Sequence, residues 1–305
     1  MRLSAIAFAA LFIAGPVVML ANELDDSFQA LKAADAKKDA AQVKKLAAET
    51  AALAKEELAI PAPQSAEEKD AWTKRMAYVH EVDSFTEYAL YSAAVAAPPE
   101  TAVDLITTLE GQNPKSHYLE EGGYARYFQA LEQSGGSAQV GAAAEKVLKN
   151  LPECEDALMA LANAALAKQQ NGQAVTYAQR LVAAATKHAK PEVMPPADFE
   201  RKRATSLGRG YWIIGMVNAN GNQLFEADRN LRAALPYIRG NDAMLGPALY
   251  ALGVTNYQLG SQTNNKNRVL EAANFSEQAS KIPGPTAQQA YSNAQAMRTA
   301  AAKMR

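Results

Sequence analysis

Residues 208–234, GRGYWIIGMVNANGNQLFEADRNLRAA, decide the fold. Tyr211, Ile214 and Gly215 fall at helical spacing, Asn220-Gly221 breaks the pattern, and Ala227, Leu231 and Ala234 resume it. Apolar residues three and four apart lie on one face of a helix. Two such stripes joined by a tight glycine-containing turn predict a pair of antiparallel helices. The small residue that opens the second stripe lets the two backbones approach. One pair cannot bury its stripes alone, so similar neighbours must stack on it.

The same arrangement recurs on both sides. From Asp83, Ala89, Leu90 and Ala93 precede Ala102, Ile106 and Leu109, and Pro114 closes the unit. From Glu121, Tyr124, Tyr127, Phe128 and Leu131 form one stripe, Gly135-Gly136 the turn, and Val140, Ala144 and Val147 the second stripe before Pro152. The next unit begins at Glu155, 34 residues after Glu121. It carries Leu158, Leu161, Ala162 and Ala165, a turn at Asn171-Gly172, then Ala174, Ala178 and Leu181. A last unit near Gly246 places Leu249, Leu252, Gly253 and Tyr257 before a turn near Gly260, with Ala272 and Ala279 beyond. Its turn holds roughly seven extra residues, in the polar run 262–267.

These positions resemble the tetratricopeptide repeat family. That family sets a large apolar residue, Leu-Gly, then small and large residues and a closing proline within about 34 residues. Ile214-Gly215, Ala227, Leu231, Ala234 and Leu252-Gly253 carry the likeness. The tyrosine expected after Leu-Gly is replaced by Ala93, Leu131, Ala165, Asn218 and Asn256, and closing prolines are clear only at Pro114 and Pro152. The resemblance implies an all-α fold, a right-handed α-solenoid of antiparallel helix pairs ending in a capping helix.

The expected organisation has six parts. Residues 1–21 are a signal peptide and 22–64 an N-terminal helical pair or cap. Residues 65–188 hold repeats at about 83–116, 121–154 and 155–188. A Pro-rich linker and helix start spans 189–207. Residues 208–284 hold repeats at about 208–241 and 246–284, and 285–305 cap the array. In the first pair Leu24, Phe28, Leu31 and Ala34 make one stripe, with a break near Lys38-Asp39. Ser65 with Glu68 three residues on reads as a capping box. In the last helix Ala287, Tyr291, Ala294, Met297, Ala301 and Met304 share one side.

Lys plus Arg is 31 against 32 for Asp plus Glu, with no block of like charge. A nucleic-acid binder needs a basic face, and a membrane-surface protein needs a polybasic one, so both are expected absent. Arg2, the apolar run 5–14, Gly15-Pro16 and the small Ala21 read as a secretory signal; Gly-Pro and the short length disfavour an uncleaved anchor. Its removal leaves 30 basic and 32 acidic residues, a net charge of −2. The chain is therefore expected to be exported, periplasmic or extracellular, with no stable membrane insertion once cleaved. Cys154 is the only cysteine, so no internal disulfide can form.

Catalytic motifs are missing. His80-Glu81 would need a histidine at 84, where Ser84 stands. His80, His117 and His188 are scattered. Gly208-Arg209-Gly210 lacks the Gly-Lys-Ser/Thr of a phosphate loop and reads as a flexible helix start. Glu56-Glu57 and Glu120-Glu121 are adjacent acids placed at helix ends or on solvated faces. No catalytic, metal or cofactor residue is assigned, and an enzyme is not expected.

In the resembled family the first helix of each pair lines a concave surface. Carried over, that places Glu87, Tyr91, Gln129, Glu132, Gln133, Met159, Asn163 and Leu166 in a groove, followed by Arg209, Trp212, Met216, Asn220, Tyr250, Val254, Tyr257 and Gln258. Trp212, Met216, Tyr250 and Tyr257 are the expected anchors for an extended or helical protein segment, with ordinary inter-repeat packing the alternative for Trp212 and Tyr250. The expected function is a protein-binding scaffold or adaptor in the cell envelope. A structural component of an envelope or secretion complex, or an enzyme with an unrecognised site, stays open.

Overall fold

A computed structural model describes residues 16–190 and 194–304, with side chains from Leu20 onward. Residues 1–15 of the expected signal lie outside the described residues, and residues 191–193 of the Pro-rich stretch do too. The fold is all-α, and no strand occurs among the described residues. The chain divides into two compact units, residues 1–137 and 138–305.

The first unit holds α1 (Pro16–Ala36), α2 (Ala40–Leu58), α3 (Ala66–Ala96), α4 (Pro99–Gln112), a π-helical turn (Leu119–Gly123) and α5 (Tyr124–Gln133). α1 ends where Lys38 enters the left-handed region at φ 54°. Asp39 then caps α2 by accepting from the Gln42 backbone N–H. The Ser65 hydroxyl accepts from Glu68 N–H and donates to its carboxylate, which starts α3. No Gly or Pro interrupts α3, so it runs straight through Asp83, where the first repeat was expected to begin. Leu24, Ala54, Met76, Val79 and Val82 form the core of α1–α3, and Trp72 and Phe28 pack on it.

Arg75 ties these three helices together. Its Nε donates to Glu57 Oε1 at 2.5 Å and its Nη2 to Glu57 Oε2 at 3.0 Å. Nη1 reaches Asp25 at 2.9 Å, and Nη2 also reaches the Ala21 carbonyl at 3.1 Å. Burial opposes the guanidinium charge, but the Glu57 and Asp25 carboxylates outweigh it and raise the Arg75 pKa. Glu57 is therefore a buried, paired acid and not the solvated one its sequence neighbourhood predicts.

The second unit holds α6 (Ser137–Asn150), α7 (Glu155–Ala167), α8 (Asn171–Lys187), α9 (Pro196–Asn220), α10 (Leu224–Ile238), α11 (Asp242–Gln262), α12 (Lys266–Ser280) and α13 (Ala287–Lys303). Each of α7 to α12 packs on its successor in the chain. The Pro-rich stretch lies inside this unit. Across it α8 and α9 meet so closely that a Cβ on Gly210 would stand 2.6 Å from the Val182 side chain. Gly208-Arg209-Gly210 thus sits within α9, not at a helix start. The polar run 262–267 does not swell the turn. α11 continues to Gln262, Asn264 takes φ 47°, and Asn265 caps α12 from Arg268 N–H. Most of the added length is helix.

Ala290, Ala294, Met297 and Ala301 bury one side of α13, but Tyr291 is 59% exposed. Arg232, Asp228, Asn256, Arg268 and Glu271 form a closed polar network joining α10, α11 and α12. Every member has a partner there, so the network reads as an internal tie. Cys154 is buried.

Candidate binding sites

The expected groove residues separate into distinct environments. In the second unit Trp212, Met216 and Tyr250 are half-buried against the Leu231–Leu249–Leu252–Phe275 core. Tyr257 packs in a different cluster, with Val269, Met297 and Ala301. Asn220 and Gln258 are exposed. In the first unit Gln129 is exposed on α5 and Tyr91 is half-buried on α3.

Three expected residues come together around one guanidinium. Arg209 on α9 donates from Nε to Asn163 Oδ1 on α7 at 2.8 Å. Its Cζ stands 4.8 Å from the centre of the Trp212 ring, one turn along α9. The indole is itself fixed, because Trp212 Nε1 donates to the Met244 carbonyl at 2.9 Å. Burial lowers the Arg209 pKa, and no carboxylate offsets it. Among the described residues Arg209 has no acidic partner. Its Nη groups are not shut away from solvent, and no protein acceptor meets them. A partly desolvated cation held in place without a counter-charge is costly.

The first unit presents a run of aromatic rings. Phe28 on α1 meets Phe85 at a centroid distance of 5.3 Å, and Phe85 meets Tyr88 at 5.7 Å. Tyr88 meets Tyr118 at 5.9 Å, and Tyr118 stacks on Tyr91 at 5.5 Å. Spacings of three and seven place Phe85, Tyr88 and Val95 along one side of α3. Tyr88 is 41% and Val95 53% exposed, so the run is only partly covered. The π-helical turn positions the far end. Gly122 leaves room for the Tyr91 hydroxyl, which would stand 2.8 Å from a Cβ at that position. Glu121 in this turn is only 17% exposed, with His117 Nδ1 3.2 Å from its Oε1, and is not on a solvated face. Burial, then Glu121, Glu87 and Tyr88, raise the Tyr118 pKa.

On the same helix, α3, Asp83 is pushed above the usual carboxylate range by burial and by Glu87. The fold therefore prefers the protonated form. That contribution is present below the unfolded pKa and is lost as pH rises through the folded one. Asp83→Asn should accordingly raise the urea midpoint at neutral pH, and the gap to wild type should close as pH falls through the carboxylate range. Solvent screening of this half-buried group keeps the gain to about 1 kcal/mol or less. A gap that widens in acid would contradict this assignment.

Among the described residues no group of three or more His, Cys, Asp or Glu side chains could hold a metal ion. Comparison with protein-family models, curated proteins and solved structures finds no match to this chain. Sequence reasoning named Tyr91 and Glu87 but missed Phe85, Tyr88 and Tyr118. Their three- and seven-residue spacing on α3 was the available signal; Tyr118 joins them only through the π-helical turn.

Proposed function

We propose that the chain is a non-catalytic helical-repeat scaffold that binds a protein or peptide segment on the first-helix faces of its pairs. The tetratricopeptide-like pattern supports this reading, as does the succession of packed helices α7 to α13. The observation that carries it is the partly uncovered aromatic run on α3, where Tyr88 and Val95 present apolar surface beside Phe85 and Tyr118. Rigid aromatic side chains supply large contact area at low entropic cost. The apolar N-terminal segment supports a place in the cell envelope. Among the described residues no helix is long and apolar enough to cross a membrane.

Photo-crosslinking in the native cell tests the proposal. A benzophenone amino acid at position 88 should give a discrete adduct that the same group at Lys45, exposed on α2, does not. Tyr118→Ala should reduce recovery of that adduct several-fold while leaving the helical signal intact. Equal adducts from both positions would refute the α3 face as the binding surface. A second reading, an assembly component, is favoured by Phe225 and Tyr291, exposed at 67% and 59% on α10 and α13. It requires an oligomer on sizing that Phe225→Ser or Tyr291→Ser disperses.

A further inference from the structure

The aromatic run of the first unit is matched with cations at one end and bare at the other. The Lys32 ammonium stands 4.4 Å from the centre of the Phe28 ring, and the Arg75 guanidinium 4.9 Å from that of Tyr78. A cation over a ring face is drawn to the ring quadrupole. Among the described residues no lysine or arginine stands over Tyr88 or Tyr118, although Tyr88 is 41% exposed.

Acids gather at that bare end. Among the described residues the only basic group on the Glu121 carboxylate is the His117 ring, and Glu121 Oε1 makes no hydrogen bond. Glu87 Oε1 accepts from the neutral Asn113 amide at 2.8 Å, which leaves its charge unbalanced. Partial burial shields both acids from solvent screening, so their field reaches the rings. Beyond burial, the groups that act on the Tyr118 hydroxyl are Glu121, Glu87 and Tyr88, and no cation opposes them. Glu81, two turns before Tyr88 on α3, is exposed and carries the negative charge along the helix.

We propose that the segment bound on the α3 face presents a lysine or arginine to Tyr88, Tyr118 and Glu121, next to apolar residues that cover Val95. Ring faces beside an unbalanced carboxylate suit an ammonium or a guanidinium. A metal ion lacks a ligand set, because no three His, Cys, Asp or Glu among the described residues could hold one. An acidic segment would meet like charge. The inference rests on the scaffold reading above for what carries the cation; the charge preference of the face does not.

The test uses the full chain and four acetylated tripeptide amides, with leucine at both ends and lysine, arginine, norleucine or glutamate between. Binding is read from the NMR shifts of the Tyr88 and Tyr118 rings at fixed ionic strength. The lysine or the arginine peptide should bind about threefold tighter or more than the norleucine one, and the glutamate peptide weakest. The tighter of the two cationic peptides identifies the head group. Glu121→Gln should narrow the gap between the cationic and norleucine peptides and leave norleucine binding unchanged. Tyr118→Leu should narrow it too, because the ring is lost while the apolar surface stays. Norleucine or glutamate binding as tightly as both cations in the wild type overturns the proposal, whatever the variants do. So does an absence of binding by all four, or a preference that both variants leave intact. Charge-blind binding together with an adduct from position 88 removes the cation and keeps the scaffold. Charge-selective binding without that adduct keeps the cation site and removes the polypeptide partner.

Discussion

Gly215→Ala is expected to destabilise the second unit by about 2 kcal/mol, although alanine is the better helix former by about 1 kcal/mol. A Cβ at Gly215 would stand 2.6 Å from Leu231 Cγ and 2.9 Å from the Leu231 backbone N. The side chain could change rotamer, but the backbone N moves only if α10 moves. Leu231 is itself fully buried in the α10–α11 core, so that movement opens the packing behind it. Gly141→Ala on α6 is the matched control. Nothing lies within 4 Å of its Cβ position, and it should stabilise by up to about 1 kcal/mol. Urea midpoints of opposite sign for the two variants are the expected result. Two stabilising substitutions would mean that α9 and α10 are not in contact at Gly215.

Arg75→Ala is expected to cost the first unit about 3 kcal/mol. Removing one partner of a buried ion pair typically costs 3–5 kcal/mol, because the remaining charge stays desolvated. Glu57 is 2% exposed, so it would be left in that position. The Arg75 side chain is 27% exposed, which puts the cost at the lower end. A further acceptor, Asp25, would also be released, loosening α1 from α3. The charged partners also act on Tyr78, whose hydroxyl pKa is pushed up to about 12 by burial and then by Asp25. Adding Glu57→Gln to Arg75→Ala should recover more than half the loss, since it neutralises the stranded acid. A double variant no more stable than Arg75→Ala would show that the cost lies in lost packing of the arginine stem, not in the charge.

The sequence by itself determined the helices and their buried faces. Alanine-rich stripes at helical spacing, ended by proline and glycine, leave few other ways to bury Leu24, Ala102, Leu158, Ala178, Leu231 or Leu252, and all six are buried. Local capping was legible at Ser65, because that cap is made within three residues, whereas Asp39 read only as a break and proved to be the cap of α2. What needed the tertiary structure was every property that depends on residues distant in the chain. Glu57 and Glu121 looked solvated until Arg75 and the π-helical turn closed over them. The aromatic run needed Phe28 of α1 and Tyr118 brought to α3. Trp212 could be groove or core from periodicity alone, since one step of register rotates a helical side chain by about 100°. The contacts place it at the edge of the core, with Arg209 lying over its ring. Helical period fixes which residues turn inward together; only packing between helices decides which polar groups are balanced and which, like Arg209, are left with donors to spare.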